Sequence, residues 1–440
     1  ARRRHQPFYP LLSTNLTEQE IIFGGEEKLL KTVREAWKRY EPEMVFIIPS
    51  PVSDILNEDI RSAAAKLRRE GIKVTAIQSE LFSHRDKNYS RNRLKEIAKQ
   101  KITGDTRLEI ELKGCGFTEA LYAIVEQVMK PQEIISRSVN IETVGWGSEG
   151  RLVLREMEAF LNTCGVTVNT WIPSAGVAAL EHAPAAQLNL VKRIRWARRM
   201  KERFGTDYMQ LNGNGRYTGL DGIALFYRDI AEKLCILPEM EEKIEKKTEE
   251  TRMLAKESLA YLGSKHCVLV CRGISDAPFT LKLFAKEFGV GIGALCVILT
   301  EEQRRSLNIT KDIEEQLVER IREAAKLYAP QVRILFNPDR EQLQNCFAQA
   351  DAVLGTGDFT LEGCGAPLIP IGTEMTSLSF ESWHRNIKRL ERRIRNAGRK
   401  DALLLNRMPF QEQRYADYDS VSARAAREMW QRMWLEKKGE

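Results

Sequence analysis

The sequence predicts an α/β protein of three domains with mostly parallel sheets. The first observation is alternation: short β-branched apolar runs are separated by amphipathic stretches of roughly ten to twenty residues, the pattern of βαβ units. The second is length, since 440 residues exceed what one ordinary core accommodates. The third is composition: 43% apolar and 29% charged residues suit a chain that buries sizeable cores, and exclude a disordered or fibrous class.

The first domain is drawn over residues 1–135. A helix over 26–40 ends before Pro42, and Met44-Val45-Phe46-Ile47-Ile48 is a strand buried on both faces. A helix over 58–70, strands over 73–78 and 108–112, and a helix over 118–129 follow. Pro131 and the polar run after it mark a boundary, and the second domain covers 136–262. Its strand over 138–144 runs into Gly145-Trp146-Gly147-Ser148-Glu149-Gly150, and Gly165 closes the helix over 151–162 as a C-cap. Strands over 166–171 and 188–191 and a helix over 193–204 come next, and a long charged helix over 238–262 bridges to the third domain, 263–440. There, strands over 266–271, 290–299, 332–336, 352–354 and 368–369 suggest a second doubly wound unit followed by C-terminal helices.

Several function classes drop out. No apolar run reaches the roughly 18–20 residues of a membrane span, so no membrane partner is expected. Ala1-Arg2-Arg3-Arg4 leads into no signal-peptide core, and eight cysteines without a C-x-x-C pair read as reduced thiols in a cytoplasmic protein. The net charge of +7 is modest and its cations are spread along helices that also carry Glu, which argues against nucleic acid. The densest basic stretches, 192–203 and 385–400, read as solvated helix faces, with an acidic docking partner as the alternative.

Each motif also has a plainer reading. Gly145-x-Gly147-x-x-Gly150 has dinucleotide-loop spacing, but Asn169 and Thr170 stand where a ribose-binding acid is needed, so a tight strand-to-helix turn explains it better. No Walker loop is present, and any ATP chemistry belongs to a partner. Cys267 and Cys271 share one face of a strand, a spacing a metal could use, yet core packing explains them and Cys164, Cys235, Cys296 and Cys346 better. Cys115, in a glycine-flanked turn at the carboxyl end of a strand, is the best ligand candidate. His384 reads as a surface or capping residue near a helix start, and no residue is assigned a catalytic role.

Several segments together resemble the nitrogenase component 1 family, which comprises nitrogenase α and β subunits, cofactor scaffold proteins and nitrogenase-like reductases. LTEQEIIFGG at 16–25 is similar to the family's TE-x-x-x-VFGG segment. YEPEMVFIIPS at 40–50 with DILNEDI at 54–60 resembles its P-x-x-I-x-V-x-x-T-C…IGDD element, and Gly116-Phe117 its GF-x-G turn. APAAQLNLV at 183–191, MKERFG at 200–205, AVLG at 352–355 and Gly365-Ala366-Pro367 match further short elements in the same order.

The resemblance implies three Rossmann-like domains around a shallow cleft, in an α2β2 or similar assembly. It also implies departures. Ser50-Pro51 replaces the family's cluster cysteine turn, Gly114 takes the next ligand column with Cys115 displaced by one, and Thr248 falls roughly where α-type subunits carry the cofactor cysteine. A further N-terminal ligand would lie at or before Ala1. The chain is therefore expected to hold no complete cluster. Gly24, Gly25, Ser50, Pro51, Gly114 and Cys115 would line an interfacial iron–sulfur cluster shared with or held by a homologous α-type subunit, Cys115 supplying at most one ligand. An ATP-dependent iron–sulfur reductase would deliver electrons. The alternatives are a scaffold for cofactor assembly and, from another class, a nucleotide-sugar-dependent transferase.

Overall fold

The computed structural model describes residues 10–50, 59–77, 89–99, 116–143, 150–211, 215–355, 366–371 and 378–396. Within them, every strand pairing is parallel.

Helix α1 (Glu18–Phe23) is fixed by a capping box in which Thr17 and Glu20 satisfy each other's backbone donors. Gly24 follows at φ +99°, a conformation that L side chains rarely adopt. Helix α2 (Glu26–Tyr40) ends at a left-handed Glu41, and Pro42 prevents continuation. Strand β1 (Val45–Ile47) pairs with β2 (Val74–Ala76) across α3 (Ile60–Arg69), whose N-terminus Asp59 caps by accepting from the Ser62 amide at 2.9 Å. Val33, Ile47, Ile60, Ala64, Leu67 and Val74 close this small core. The expectation that 44–48 is buried on both faces fails: Ile47 is buried, but Phe46 is 40% and Ile48 67% exposed. Among the described residues this sheet has two strands, of which β2 is buried along its length and β1 is the half-exposed one. Helices α4 (Tyr89–Lys99) and α5 (Gly116–Gln127) follow, and Gln127 clamps β2 by both donating to and accepting from the Ala76 backbone. The strand expected over 108–112 lies outside the described residues.

The second sheet runs in the order β4-β3-β5-β6. It comprises β3 (Ile135–Glu142), β4 (Thr167–Ile172), β5 (Ala186–Val191) and β6 (Asp207–Gln210), connected by α6 (Gly150–Thr163), α7 (Val177–Glu181) and α8 (Ile194–Phe204). Gly165 and Gly205 end α6 and α8 at φ +73° and +81°, as helix-terminating glycines do. Helices α9 (Gly219–Lys233) and α10 (Leu237–Gly263) lead to the third sheet, the bridging helix expected over 238–262.

That sheet has the order β11-β10-β7-β8-β9. It is built from β7 (His266–Cys271), α11 (Ala277–Leu281) with a π-helical turn (Lys282–Glu287), β8 (Gly291–Val297), α12 (Glu301–Ser306), α13 (Lys311–Tyr328), β9 (Arg333–Phe336), α14 (Arg340–Phe347), β10 (Ala352–Gly355), β11 (Leu368–Pro370) and α15 (Phe380–Asn396). Strand alternation sorts β7 cleanly. Cys267, Leu269 and Cys271 join the large core that also holds Val139 and Ile141 of β3, whereas Val268 and Val270 face the smaller core under α14. The two larger sheets thus share one core. An aromatic group reinforces it: Phe160 of α6, Tyr227 of α9 and Phe380 of α15 meet with ring centroids 4.5–5.4 Å apart.

Cys164, Cys267, Cys271 and Cys296 are buried and Cys346 is half-buried, but Cys235 is exposed. The core reading of Cys235 is corrected by its backbone: it follows the last turn of α9 at φ +59°, which turns its side chain away from the helix face that packs. Native alkylation with iodoacetamide is therefore expected to modify Cys235 while Cys267, Cys271 and Cys296 react only after unfolding, as peptide mass spectrometry would reveal.

Candidate functional site

Open parallel sheets bind ligands beyond the carboxyl ends of their strands where the winding reverses. In the second sheet that point lies between β3 and β5, which are neighbours with β4 and β6 on either side. β3 ends there in Glu142, which is 0% exposed. Its carboxylate accepts from the Lys192 amide at 2.9 Å, the Arg193 amide at 3.0 Å, the Arg193 Nη1 at 2.7 Å and the Trp196 Nε1 at 3.0 Å. Two of these donors are backbone amides at the start of α8, so Glu142 caps that helix and neutralises the positive end of its dipole. A buried charge is tolerable in a fold only when paired and hydrogen-bonded, and Glu142 meets both conditions.

The surrounding groups hold the crevice in shape. Thr143 donates its amide to the Ile172 carbonyl at 2.7 Å, and its hydroxyl lies 2.7 Å from that of Ser174. Gln210, at the end of β6, donates to the Lys192 carbonyl at 3.1 Å. The Arg193 guanidinium lies 5.9 Å from the ring of Phe117, the second residue of α5, and Phe117 is 60% exposed. The start of α5 therefore abuts the switch point of the second sheet. A pyrophosphate bound at the start of α8 would meet the Glu142 carboxylate, which opposes nucleotide binding there. Residues 144–149, which carry most of the glycine motif, lie outside the described residues.

Burial pushes the Lys192 ammonium down to about 8, against the pull of Glu142. An unfolded lysine keeps its proton to about pH 10.4. Between the two values the unfolded chain binds more protons, so this residue makes stability rise with pH from about 8 to about 10.4 and contributes nothing to the pH dependence below that window. The rise is roughly 3 kcal/mol. Lys192→Met should remove it, seen as a smaller difference between denaturant midpoints at either end of the window in the variant than in the wild type.

Of the site positions expected from sequence, the described ones fall in one unit. Gly24 ends α1, exposed, and Gly25 starts α2, buried. Ser50 is exposed three residues after β1. The glycines and the serine hang on one small core, through Val33 of α2 and Ile47 of β1. Pro51, Gly114 and Cys115 lie outside the described residues. Thr248 is buried in α10, donates its hydroxyl to the Ile244 carbonyl at 2.6 Å, and lines a groove of about 380 Å³ with Asp221, Arg228 and Glu245. His384 is not a capping residue: it sits inside α15, half-buried, with the Leu254 backbone of α10 beside it. Desolvation, then Lys388, lowers its pKa.

Sequence reasoning missed Glu142, Lys192 and Arg193. The available signal was Glu142 itself, a carboxylate at the end of an apolar strand. Its partners lie about fifty residues away and only the fold brings them to it.

For an iron–sulfur group, the described thiols do not fit. Cys267 and Cys271 face one core and Cys296 the other, so the sheet keeps these buried thiols from meeting around one cluster. No group of three or more His, Cys, Asp or Glu that could hold a metal occurs among the described residues. Nor is any described helix long and apolar enough to cross a membrane.

The family model for nitrogenase component 1 type oxidoreductases matches residues 1–376. The nitrogenase iron-molybdenum cofactor biosynthesis protein NifE of Nostoc sp. is 26% identical over 311 residues, covering 67% of this chain and 56% of the relative. The nitrogenase molybdenum-iron protein alpha chain of Clostridium pasteurianum is 26% identical over 265 residues, covering 58% and 43%. The chain thus spans about half the length of these curated relatives. A solved structure titled "Nitrogenase Cp1 at pH 6.5" aligns at 18% identity and a TM-score of 0.49, over 87% of this chain and 78% of that one. The ordered short motifs of the sequence and a family match over most of its length agree, and the chain belongs to the nitrogenase component 1 type oxidoreductase family.

Proposed function

We propose that this chain is a subunit of a nitrogenase-like oxidoreductase complex, pairing with a homologous cluster-bearing subunit in a cytoplasmic heterotetramer and receiving electrons from an ATP-dependent iron–sulfur reductase. Its own units are taken as three domains with boundaries near residues 135 and 262. The observation that carries this reading is the placement of exposed apolar side chains. Ile22 (72%) and Phe23 (85%) precede Gly24 and Gly25, Ile48 (67%) stands two residues before Ser50, and Phe117 (60%) two after Cys115. Large apolar groups so exposed mark an interaction surface. On this reading Gly24, Gly25, Ser50, Pro51, Gly114 and Cys115 line the subunit interface, and Cys115 offers at most one ligand to an iron–sulfur cluster that the partner mainly holds.

A second reading, a scaffold on which a cofactor matures before transfer, is supported by the similarity to the cofactor biosynthesis protein NifE. Co-expression of the tagged chain with its homologous subunit tests pairing: the two should co-elute as one assembly on anaerobic gel filtration, and a monomeric chain in the presence of that subunit would overturn both readings. Given the reductase and ATP, the complex should then support many reduction cycles. A scaffold would instead release its cluster once to an acceptor.

A further inference from the structure

Cys296 lies on β8, fully buried, on the face that packs beneath α14 with Val268, Val270 and Ala294. Cys346, the penultimate residue of α14, lies half-buried against the same core beside Leu343 and Phe347. The two thiols pack into the same core across the strand–helix seam, near enough for Cys346 to help hold the Cys296 thiol up. Cys267 and Cys271 project from β7 into the other core, so sheet alternation separates them from this pair. The half-buried thiol is the one that a small solute reaches. Its neighbour, which burial keeps protonated, is shielded from direct oxidation and held where a second sulfur is needed.

We propose that Cys296 and Cys346 form an oxidative modification site, in which a hydroperoxide oxidises Cys346 and Cys296 traps the product as an intramolecular disulfide. In the first step the Cys346 sulfur attacks the peroxide, the O–O bond breaks, and sulfenic acid and water (or an alcohol) result. In the second the Cys296 sulfur displaces hydroxide from the sulfenic sulfur, the S–O bond breaks, the S–S bond forms, and the Cys296 proton leaves with hydroxide as water. Two electrons pass from the two thiols to one peroxide. The bond ties α14 to the sheet and stops Cys346 from proceeding to sulfinic acid, and a dithiol reverses it.

The test is hydrogen peroxide treatment of the whole native chain, quenching with N-ethylmaleimide, digestion without reduction, and mass spectrometry. Exposed Cys235 serves as an internal record that oxidant reached the protein. The expected product is a peptide pair joined through Cys296 and Cys346, lighter by the two thiol hydrogens, lost after dithiothreitol and lost in Cys346→Ser. Three results would overturn the proposal: Cys346 carried to sulfinic acid with Cys296 still reduced, Cys346 joined to a different cysteine, or both thiols reduced after Cys235 has been oxidised.

Discussion

Glu142→Ala should lower the stability of the fold by about 3–5 kcal/mol, the usual cost of removing one partner from a buried ion pair. The magnitude follows from what is left behind. The Arg193 guanidinium loses its 2.7 Å partner, two amides at the start of α8 lose their acceptor, and the Trp196 indole N–H is stranded in the core. Equilibrium urea unfolding would register it as a fall in midpoint at unchanged slope. Glu142→Gln keeps the shape and one acceptor oxygen and should cost less. A loss below about 1 kcal/mol for the alanine variant would mean that the carboxylate behaves as a surface charge. A double-mutant cycle with Arg193→Met separates the ion pair from the capping bonds.

The second large effect concerns assembly and not the fold. The Ile22→Asp, Phe23→Asp double variant should abolish co-elution with the homologous subunit while leaving thermal unfolding of the isolated chain nearly unchanged. Both side chains are already in water in the free chain, so the substitution costs the monomer on the order of 0.5 kcal/mol or less. Central apolar anchors of an interface each cost 2 kcal/mol or more when lost, roughly a thirtyfold or greater loss of affinity. Pairing that survives both substitutions would place the interface elsewhere on the molecule.

Local features of the chain were legible where short-range chemistry decides them. The helix at 26–40 is bounded by Gly25 and by Pro42, and it forms at those limits. Gly165 could be read as a helix terminator because a left-handed residue is needed there. Alternation along 266–271 shows why Cys267 and Cys271 share a face, and burial in the core explains why that face holds no ligand set. What stayed hidden depends on contacts between distant segments. Phe46 and Ile48 look like core from an apolar run, yet that run cannot state that β1 is half-exposed beside a buried β2. Lys192 and Arg193 looked like the start of a solvated basic helix, because the carboxylate that binds them is on β3. His384 meets α10 only through the packing of α15 along that helix, a long-range contact. Of the interface positions read from the family resemblance, Gly24 and Gly25 fall at the junction of α1 and α2, and Ser50 lies three residues beyond β1.

Iron and acid-labile sulfide, quantified anaerobically on the chain alone and on its complex with the homologous subunit, test the half-site claim most directly. The account predicts iron and sulfide in the complex, little or none in the isolated chain, and a complex containing Cys115→Ala that retains most of its cluster because the partner supplies the other ligands. A full complement of iron and sulfide on the isolated chain, or none on the purified complex, would contradict it.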